Sequence, residues 1–448
     1  MTELGLRLAH RCMFSLQNTG GVMEEIRYQK EYSQILREEI VPATGCTEPI
    51  SIAYCAAKAH QVLGMQPTAV TVSVSGNILK NVKSVVVPNT NGLKGIRAAV
   101  AAGIVCGDAD KGMQVISRVT EEQRASVAHF MDTVNIDVSC AETDCPLYIS
   151  ITLYARTSYS RVVIANNHSN IVEIMKNGEA ILKHPIVAQS EDNLTDKSCL
   201  NLHDVFHYAD KVDISEVQDL LDLQIDYNMA ICEEGLSNDY GANIGKILLA
   251  ENVSDAKTIA RAYAAAGSDA RMSGCEMPVA ILCGSGNQGI TASVPIICYA
   301  RHYAIGKERM YRALILSDLL TVYQKAGIGR LSAYCGAISA GCAAGAGIAY
   351  LLGGDETVVA HTLVNSVAMI SGTICDGAKP SCAAKIAAAI DTGILGYQMY
   401  LHQQQFYHGE GIVAPNADAT VHNIGRIASE GMIETDQTII SIMQQDCK

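Results

Sequence analysis

The chain has 448 residues and a formal net charge of −13, with 49% hydrophobic and only 18% charged residues. An acidic chain without a Lys/Arg-rich stripe argues against a nucleic-acid partner, and this length allows two or three domains and a large core. With no Trp and four Phe, that core must be built from Ala, Val, Ile and Leu.

Residues 1–24 read as a loose extension. They lack the continuous apolar run of a signal peptide and include Gly20-Gly21. The sixteen cysteines are scattered along a long chain, so reduced thiols in a cytoplasmic setting are the expectation. Glu31–Ile40 reads as a helix ended by Val41-Pro42. Pro42–Pro49 (PATGCTEP) reads as a tight loop before a second helix, Ile50–Leu63, which Pro49 opens with Thr47 or Glu48 as cap. Cys46 therefore sits just outside a helix N-terminus, where amides and dipole favour a thiolate. A structural cysteine beside a cap is an equal reading.

Val70–Ser75 alternates apolar and polar residues as a half-buried strand does. Ser84–Val87 reads as a second strand, and Gly92–Val105 and Glu121–Met131 as helices. Strands follow near Val134–Val138, Tyr148–Tyr154 and Arg161–Ala165, with a hairpin turn at Asn177-Gly178 between Ile171–Met175 and Ala180–Leu182. Ser75-Gly76-Asn77 and Pro88–Gly92, which holds Asn89, lie at strand ends and are candidate anion loops. His168 in the same region reads as a solvated or capping residue. These elements form one α+β domain over residues 25–190.

Beyond about Asp192 the strand signals stop. Helical periodicity covers Val205–Asp213, Ile214–Glu233, Asn243–Glu251 and Asp255–Gly267, then Val294–Ile305, Glu308–Ala326, Ser332–Leu352, Glu356–Ile370, Ala383–Met399 and Thr420–Glu430. The predicted fold class is α+β: an N-terminal mixed α/β domain followed by a large all-α helical domain over 191–448, with the boundary within 191–198. Inside the helical half, Cys283–Ile290 (CGSGNQGI) offers a Gly-rich loop with Ser285 and Asn287 to an anion, against the plainer reading of a turn between helices. Ser332–Gly354 is uncharged, but its Ala/Gly composition fits a helix buried all round better than a membrane span. Cys335 opens it and alone reads as a small core residue. Gly372–Lys385 (GTICDGAKPSCAAK) places Cys375 and Cys382 around a Gly/Pro turn between two helices. That arrangement suits a metal or cluster cradle, although two buried thiols are the plainer alternative. The chain has no HExxH, CxxC, Walker-type GKT/GKS or GxSxG motif.

Taken together, PATGCTEP (Pro42–Pro49), GSDARMSG (Gly267–Gly274), GSGNQGIT (Gly284–Thr291), LSAYCGA (Leu331–Ala337) and GTICDGAKPSCA (Gly372–Ala383) resemble the L-cysteine desulfidase family, relatives of the α-chain of iron–sulfur L-serine dehydratases. The likeness runs from about residue 30 to the C-terminus. It implies a lyase that converts L-cysteine to pyruvate, ammonia and hydrogen sulfide with a [4Fe–4S] cluster. By this resemblance Cys335, Cys375 and Cys382 match the cluster-ligand positions, and Cys46 matches the cysteine proposed as base. The Ala-Lys-Pro of the last motif departs from the small polar residues expected there and puts the local loop shape in question. Three thiols leave one iron open to a substrate sulfur. The substrate carboxylate needs an anion site, for which Ser75, Asn77, Asn89, Ser285 and Asn287 are the candidates.

The implied partner is a small amino acid, with no nucleic acid and no membrane, and homo-oligomer formation is left open. Three alternatives stand beside this reading. One keeps the cluster and takes L-serine as substrate. A second is a non-catalytic iron–sulfur sensor. The third is a pyridoxal-phosphate lyase, because SGNQG is similar to the SGNTG loop of cysteine synthase-type enzymes and Lys257 lies thirty residues before Asn287. Against the third, Lys257 follows Asp255 on a helix that reads as solvated.

Overall fold

The structure, a computed structural model, describes residues 26–44, 47–186, 194–329 and 332–445. Its first half contains helix α1 (Gln29–Glu39), strand β1 (Val41–Thr44), α2 (Thr47–Leu63), β2 (Ala69–Val74), α3 (Gly76–Val82), α4 (Gly95–Cys106) and α5 (Glu121–Thr133). Strands β3 (Asn135–Cys140), β4 (Tyr148–Ala155), β5 (Ser158–Ala165), β6 (Ile171–Lys176) and β7 (Glu179–Lys183) complete it. Six strands form one sheet in the order β3-β2-β4-β5-β6-β7, parallel only between β2 and β3. The alternation read at Val70–Ser75 is real, for Val70, Val72 and Val74 point into the core. Asn177 and Gly178 both take positive φ, 50° and 92°, as a tight two-residue hairpin demands. Helices α2 and α4 cover one face of this sheet and share its apolar core.

Nearly all the remainder is helical: α6 (Leu202–Lys211), α7 (Gln218–Ser237), α8 (Ile244–Leu249), α9 (Ala256–Met272), α10 (Gly286–His302) and α11 (Lys307–Ile328). Then come α12 (Gly336–Leu351), α13 (Glu356–Ile370), α14 (Cys382–Leu401), α15 (Ala417–Arg426) and α16 (Ile433–Gln445). The uncharged stretch behaves as its composition suggests, with α12 buried from Ala337 to Leu351. Its Gly345 meets Gly393 of α14 so closely that a Cβ at Gly345 would lie 2.3 Å from the Gly393 carbonyl oxygen. Small residues thus let two backbones touch. No helix among the described residues is long and apolar enough to cross a membrane.

Four expectations are corrected. Pro278–Ile281 is a strand, β8, which pairs antiparallel with β1. Each of the two has only four residues, too few to show alternation. Asn228 of α7 takes the place of a further strand: its Oδ1 accepts from Ala280 N at 2.9 Å, and its Nδ2 donates to Ala280 O at 3.3 Å. Second, α1 packs in the helical core through Tyr32, Ile35 and Leu36 rather than opening the α+β unit. Third, Ser84–Val87 makes only an isolated bridge, Val86 to Lys94, because the chain closes at once through positive-φ Asn89, Asn91 and Gly92. Fourth, the helix read as ending at Glu430 continues through a π turn, Ile427–Gly431, into α16. There Gly431 gives a misleading stop signal. Helix α16 reaches back to the first half, with Lys80 paired to Asp436 at 2.6 Å and Ile440 packed against the sheet-side core.

One core group makes the fold sensitive to pH. Asp318 of α11 is fully buried; its Oδ1 accepts from Gln224 Nε2 at 3.0 Å, and its Oδ2 has no partner among the described residues. Burial pushes its pKa up to about 7, against the pull of that hydrogen bond. A raised folded-state pKa gives stability that is complete below the ordinary Asp value, about 4, and is lost as pH rises through about 7. Melting temperatures measured from pH 5 to 9 are therefore expected to fall across neutrality. Asp318→Asn should flatten that slope and melt higher than the parent at pH 8.

Candidate active site

Two short segments hold the first pair of thiols together. Residues 333–335 run antiparallel to residues 373–375. Cys335 N donates to Thr373 O at 3.0 Å, Cys375 N donates to Ala333 O at 2.5 Å, and Tyr334 bridges Ile374. Tyr334 is buried, and its hydroxyl meets Ser371 Oγ at 3.2 Å, which fixes the splice from behind. Cysteines forty positions apart in the sequence are thereby placed side by side. Cys382 opens α14 beyond the Pro380 turn, and its Sγ lies 3.6 Å from Gly377 O. All three thiols line one cavity of about 170 Å³. No disulfide joins any two described cysteines.

The turn between Cys375 and Cys382 leans on the other half of the molecule. Gly377 has φ +91°, and a Cβ there would lie 1.9 Å from Lys80 O in α3. Only glycine satisfies both the conformation and the approach. The cavity is thus walled by α3 on one side and by the thiol segments on the other.

The wall is strongly cationic. Lys80, Arg271, Lys325 and Lys385 all line it. Lys80 is paired with Asp436, and Lys385 donates to Asp376 at 2.6 Å and to Ile374 O at 2.9 Å. Asp376 also holds Lys379, and the two lysines keep its carboxyl below the usual range although burial opposes this. Lys325 is 6% exposed, and burial pulls its ammonium below the ordinary lysine value while Nζ donates to Gly329 O at 2.7 Å. Arg271 makes no ion pair among the described residues. Nη1 donates to Asn287 Oδ1 at 3.4 Å, and its Nε is buried without a partner. The Oε1 of Gln288 on the same cavity is likewise buried and unpartnered. Burying such groups unpaired costs several kcal/mol each unless a ligand meets them.

This setting acts on the thiols. The adjacent Cys335 thiol holds the Cys375 thiol below the ordinary cysteine range against the effect of burial, assisted by the Gly377 amide, Lys80 and Lys385. Cys335 rises correspondingly, and burial raises Cys382. Three convergent sulfur donors, one already biased towards thiolate and all close to excess cationic charge, form a donor set that fits an anionic iron–sulfur cluster.

The other sequence candidates divide. Ser285 and Asn287 line the cavity, where Ser285 Oγ caps α10 by accepting from Gln288 N at 3.5 Å. Ser75, Asn77 and Asn89 do not line it. Ser75 is spent inside the α+β unit, donating to Pro146 O at 2.8 Å. Asn89 donates to Ile116 O at 3.0 Å within its turn, and Asn77 sits in α3, which replaces the expected loop. Cys46 lies outside the described residues, as does Cys447; Glu48, two positions after Cys46, lines the cavity. Lys257 pairs with Asp391 at 2.8 Å, about 21 Å along α9 from Arg271. The four cations were not found from the sequence. Arg271 falls in the last turn of its helix, where a basic residue ordinarily complements the dipole, so nothing in its spacing marks it.

Gly377→Ala is expected to separate the turn from α3. The melting temperature should fall, and Cys375 and Cys382 should react faster with a thiol reagent, as followed by mass spectrometry. Gly353→Ala supplies the comparison, since it has positive φ but open space around it.

The serine dehydratase alpha chain family model matches residues 110–441. A UPF0597 protein of Desulfitobacterium hafniense (strain Y51) is 52% identical over 421 residues, covering 94% of this chain and 98% of the relative. UPF0597 proteins of Lachnoclostridium phytofermentans (45% over 414 residues, 92% and 99% covered) and Treponema denticola (42% over 430 residues, 95% and 100% covered) are similar along the same span.

Proposed function

We propose, from the premise that this chain belongs to the serine dehydratase alpha-chain family, that it is an iron–sulfur-dependent lyase acting on L-cysteine. The reaction is β-elimination: the Cα–H and Cβ–S bonds break, the sulfur leaves as hydrogen sulfide, and the aminoacrylate takes up water to give pyruvate and ammonia. The observation that carries the reading is the convergence of Cys335, Cys375 and Cys382 on one cavity that also holds the guanidinium of Arg271, which makes no ion pair among the described residues.

In this reading Cys335, Cys375 and Cys382 hold a [4Fe–4S] cluster. When bound, it supplies a Lewis-acidic iron with no protein ligand, which makes a substrate sulfur a better leaving group. The protein's own groups do the rest. Lys80, Lys325 and Lys385 offset the negative charge of three thiolates in a confined space. Arg271 takes the substrate carboxylate through its planar donor fork, with Asn287 steadying the guanidinium. The Oε1 of Gln288 accepts from the substrate ammonium. Cys46 is the proposed base for the Cα proton. Its neighbour Glu48 on the cavity wall supports this assignment.

The ion pair of Lys257 with Asp391 favours the cluster reading over a lysine-linked cofactor. L-Serine remains the sibling substrate, and a comparison of pyruvate yields decides between the two.

The test is an anaerobic assay of reconstituted protein. Sulfide and pyruvate should appear in equal amounts from L-cysteine, with less pyruvate from L-serine. Cluster-loaded protein that releases neither sulfide nor pyruvate from these amino acids would leave the sensor reading in place of ours. Cys335→Ala, Cys375→Ala and Cys382→Ala should each lose bound iron as well as turnover. Arg271→Lys should keep its iron but lose about a hundredfold in kcat/KM, roughly 3 kcal/mol of transition-state binding. Cys46→Ser should keep both iron and substrate binding while kcat collapses.

A further inference from the structure

The proposed reaction makes no use of three groups gathered where α6 meets the start of α13. His203 and His207 are four positions apart on α6, so their rings share one face, with centroids 4.6 Å apart and planes at 64°. Glu356 is the first residue of α13, placed there by Asp355, whose side chain caps the helix by accepting from Val358 N at 3.1 Å. From that position its two carboxylate oxygens lie 3.0 and 3.1 Å from His203 Nδ1. One donor atom from each of the three side chains lies within 4.8 Å of those of the other two.

A surface ion pair between His203 and Glu356 needs only one imidazole. The second is what requires an account. The ring of His207 has only ring contacts, with His203 and Phe206, and makes no hydrogen bond among the described residues. Its presentation is nevertheless built. Phe206 packs edge-on against Tyr350, whose hydroxyl donates to Asp210 at 2.8 Å, so the helix register behind the two histidines is held at both ends of the turn.

We infer that His203, His207 and Glu356 form a site for a divalent cation of the zinc class, with water completing the coordination. Two imidazole nitrogens and one carboxylate are the ligand types such ions take, at about 2.0–2.2 Å, and small side-chain rotations bring three donors at this spacing onto one ion. The donor set is distinct from the thiol set. It contains no sulfur, reaches solvent, and joins elements 153 residues apart in the sequence. The bound cation ties α6 to the first turn of α13, the helix whose other end leads into the segment carrying Cys375.

Because cysteine thiolates are also zinc ligands and the chain has sixteen cysteines, the test separates nitrogen from sulfur ligation. Anaerobic, iron-loaded protein is given one equivalent of Zn²⁺ and examined by zinc-edge X-ray absorption, which the iron does not obscure. A first shell of nitrogen and oxygen at about 2.0–2.1 Å with imidazole scattering is expected, whereas a sulfur shell near 2.3 Å overturns the proposal. Equilibrium dialysis adds a second readout. The double variant His203→Asn/His207→Asn should bind one zinc fewer per chain than the parent with unchanged iron content. Glu356→Gln should weaken the same site about tenfold, about 1.4 kcal/mol. Equal zinc stoichiometry in the parent and the double variant contradicts the site.

Discussion

The antiparallel splice of residues 333–335 with residues 373–375 is the contact on which the site depends. Two backbone hydrogen bonds, backed by the buried ring of Tyr334, place Cys335 against Cys375. Without them, two thiols from separate helix ends would have no reason to meet. The helical packing makes the splice rigid. Helix α12 leaves it fully buried, and α13 and α14 enter and leave the second segment as packed neighbours of α12. The close backbone approach at Gly345 and Gly393 belongs to the same arrangement.

A second constraint is electrostatic. The cavity gathers Lys80, Arg271, Lys325 and Lys385, while the carboxylates that answer them directly are Asp436 and Asp376. A confined pocket with surplus cations and orphaned polar atoms is unfavourable until it is filled by anions. An anionic cluster and a substrate carboxylate are the occupants proposed to restore the balance. Because α3 and α16 supply Lys80 and Asp436, and α9 supplies Arg271, the charge balance also couples the two halves of the molecule.

Much of this was legible in the sequence where a local rule governs. The α+β class, the Asn177-Gly178 hairpin and the helix at Glu356–Ile370 followed from periodicity and turn chemistry. Cys375 and Cys382 stood out from their Gly/Pro turn, whereas Cys335, which alone looks like any small core residue, joined them through a resemblance, and the fold places all three on one cavity. What escaped was non-local. The four-residue strands β1 and β8 are defined only by each other across the chain, with Asn228 completing their hydrogen bonds. Lys80 and Lys325 look like ordinary helix residues until the fold buries them. Ser75 and Asn89 looked available, but neighbours at Pro146 and Ile116 claim their side chains.

The central claim is that three thiols hold a cluster with one iron left for the substrate. Mössbauer spectroscopy of protein reconstituted anaerobically with ⁵⁷Fe tests it most directly. The account predicts a cluster in which a single iron changes its parameters when L-cysteine is added, while the remaining irons do not. Irons that are all alike and indifferent to L-cysteine would contradict it.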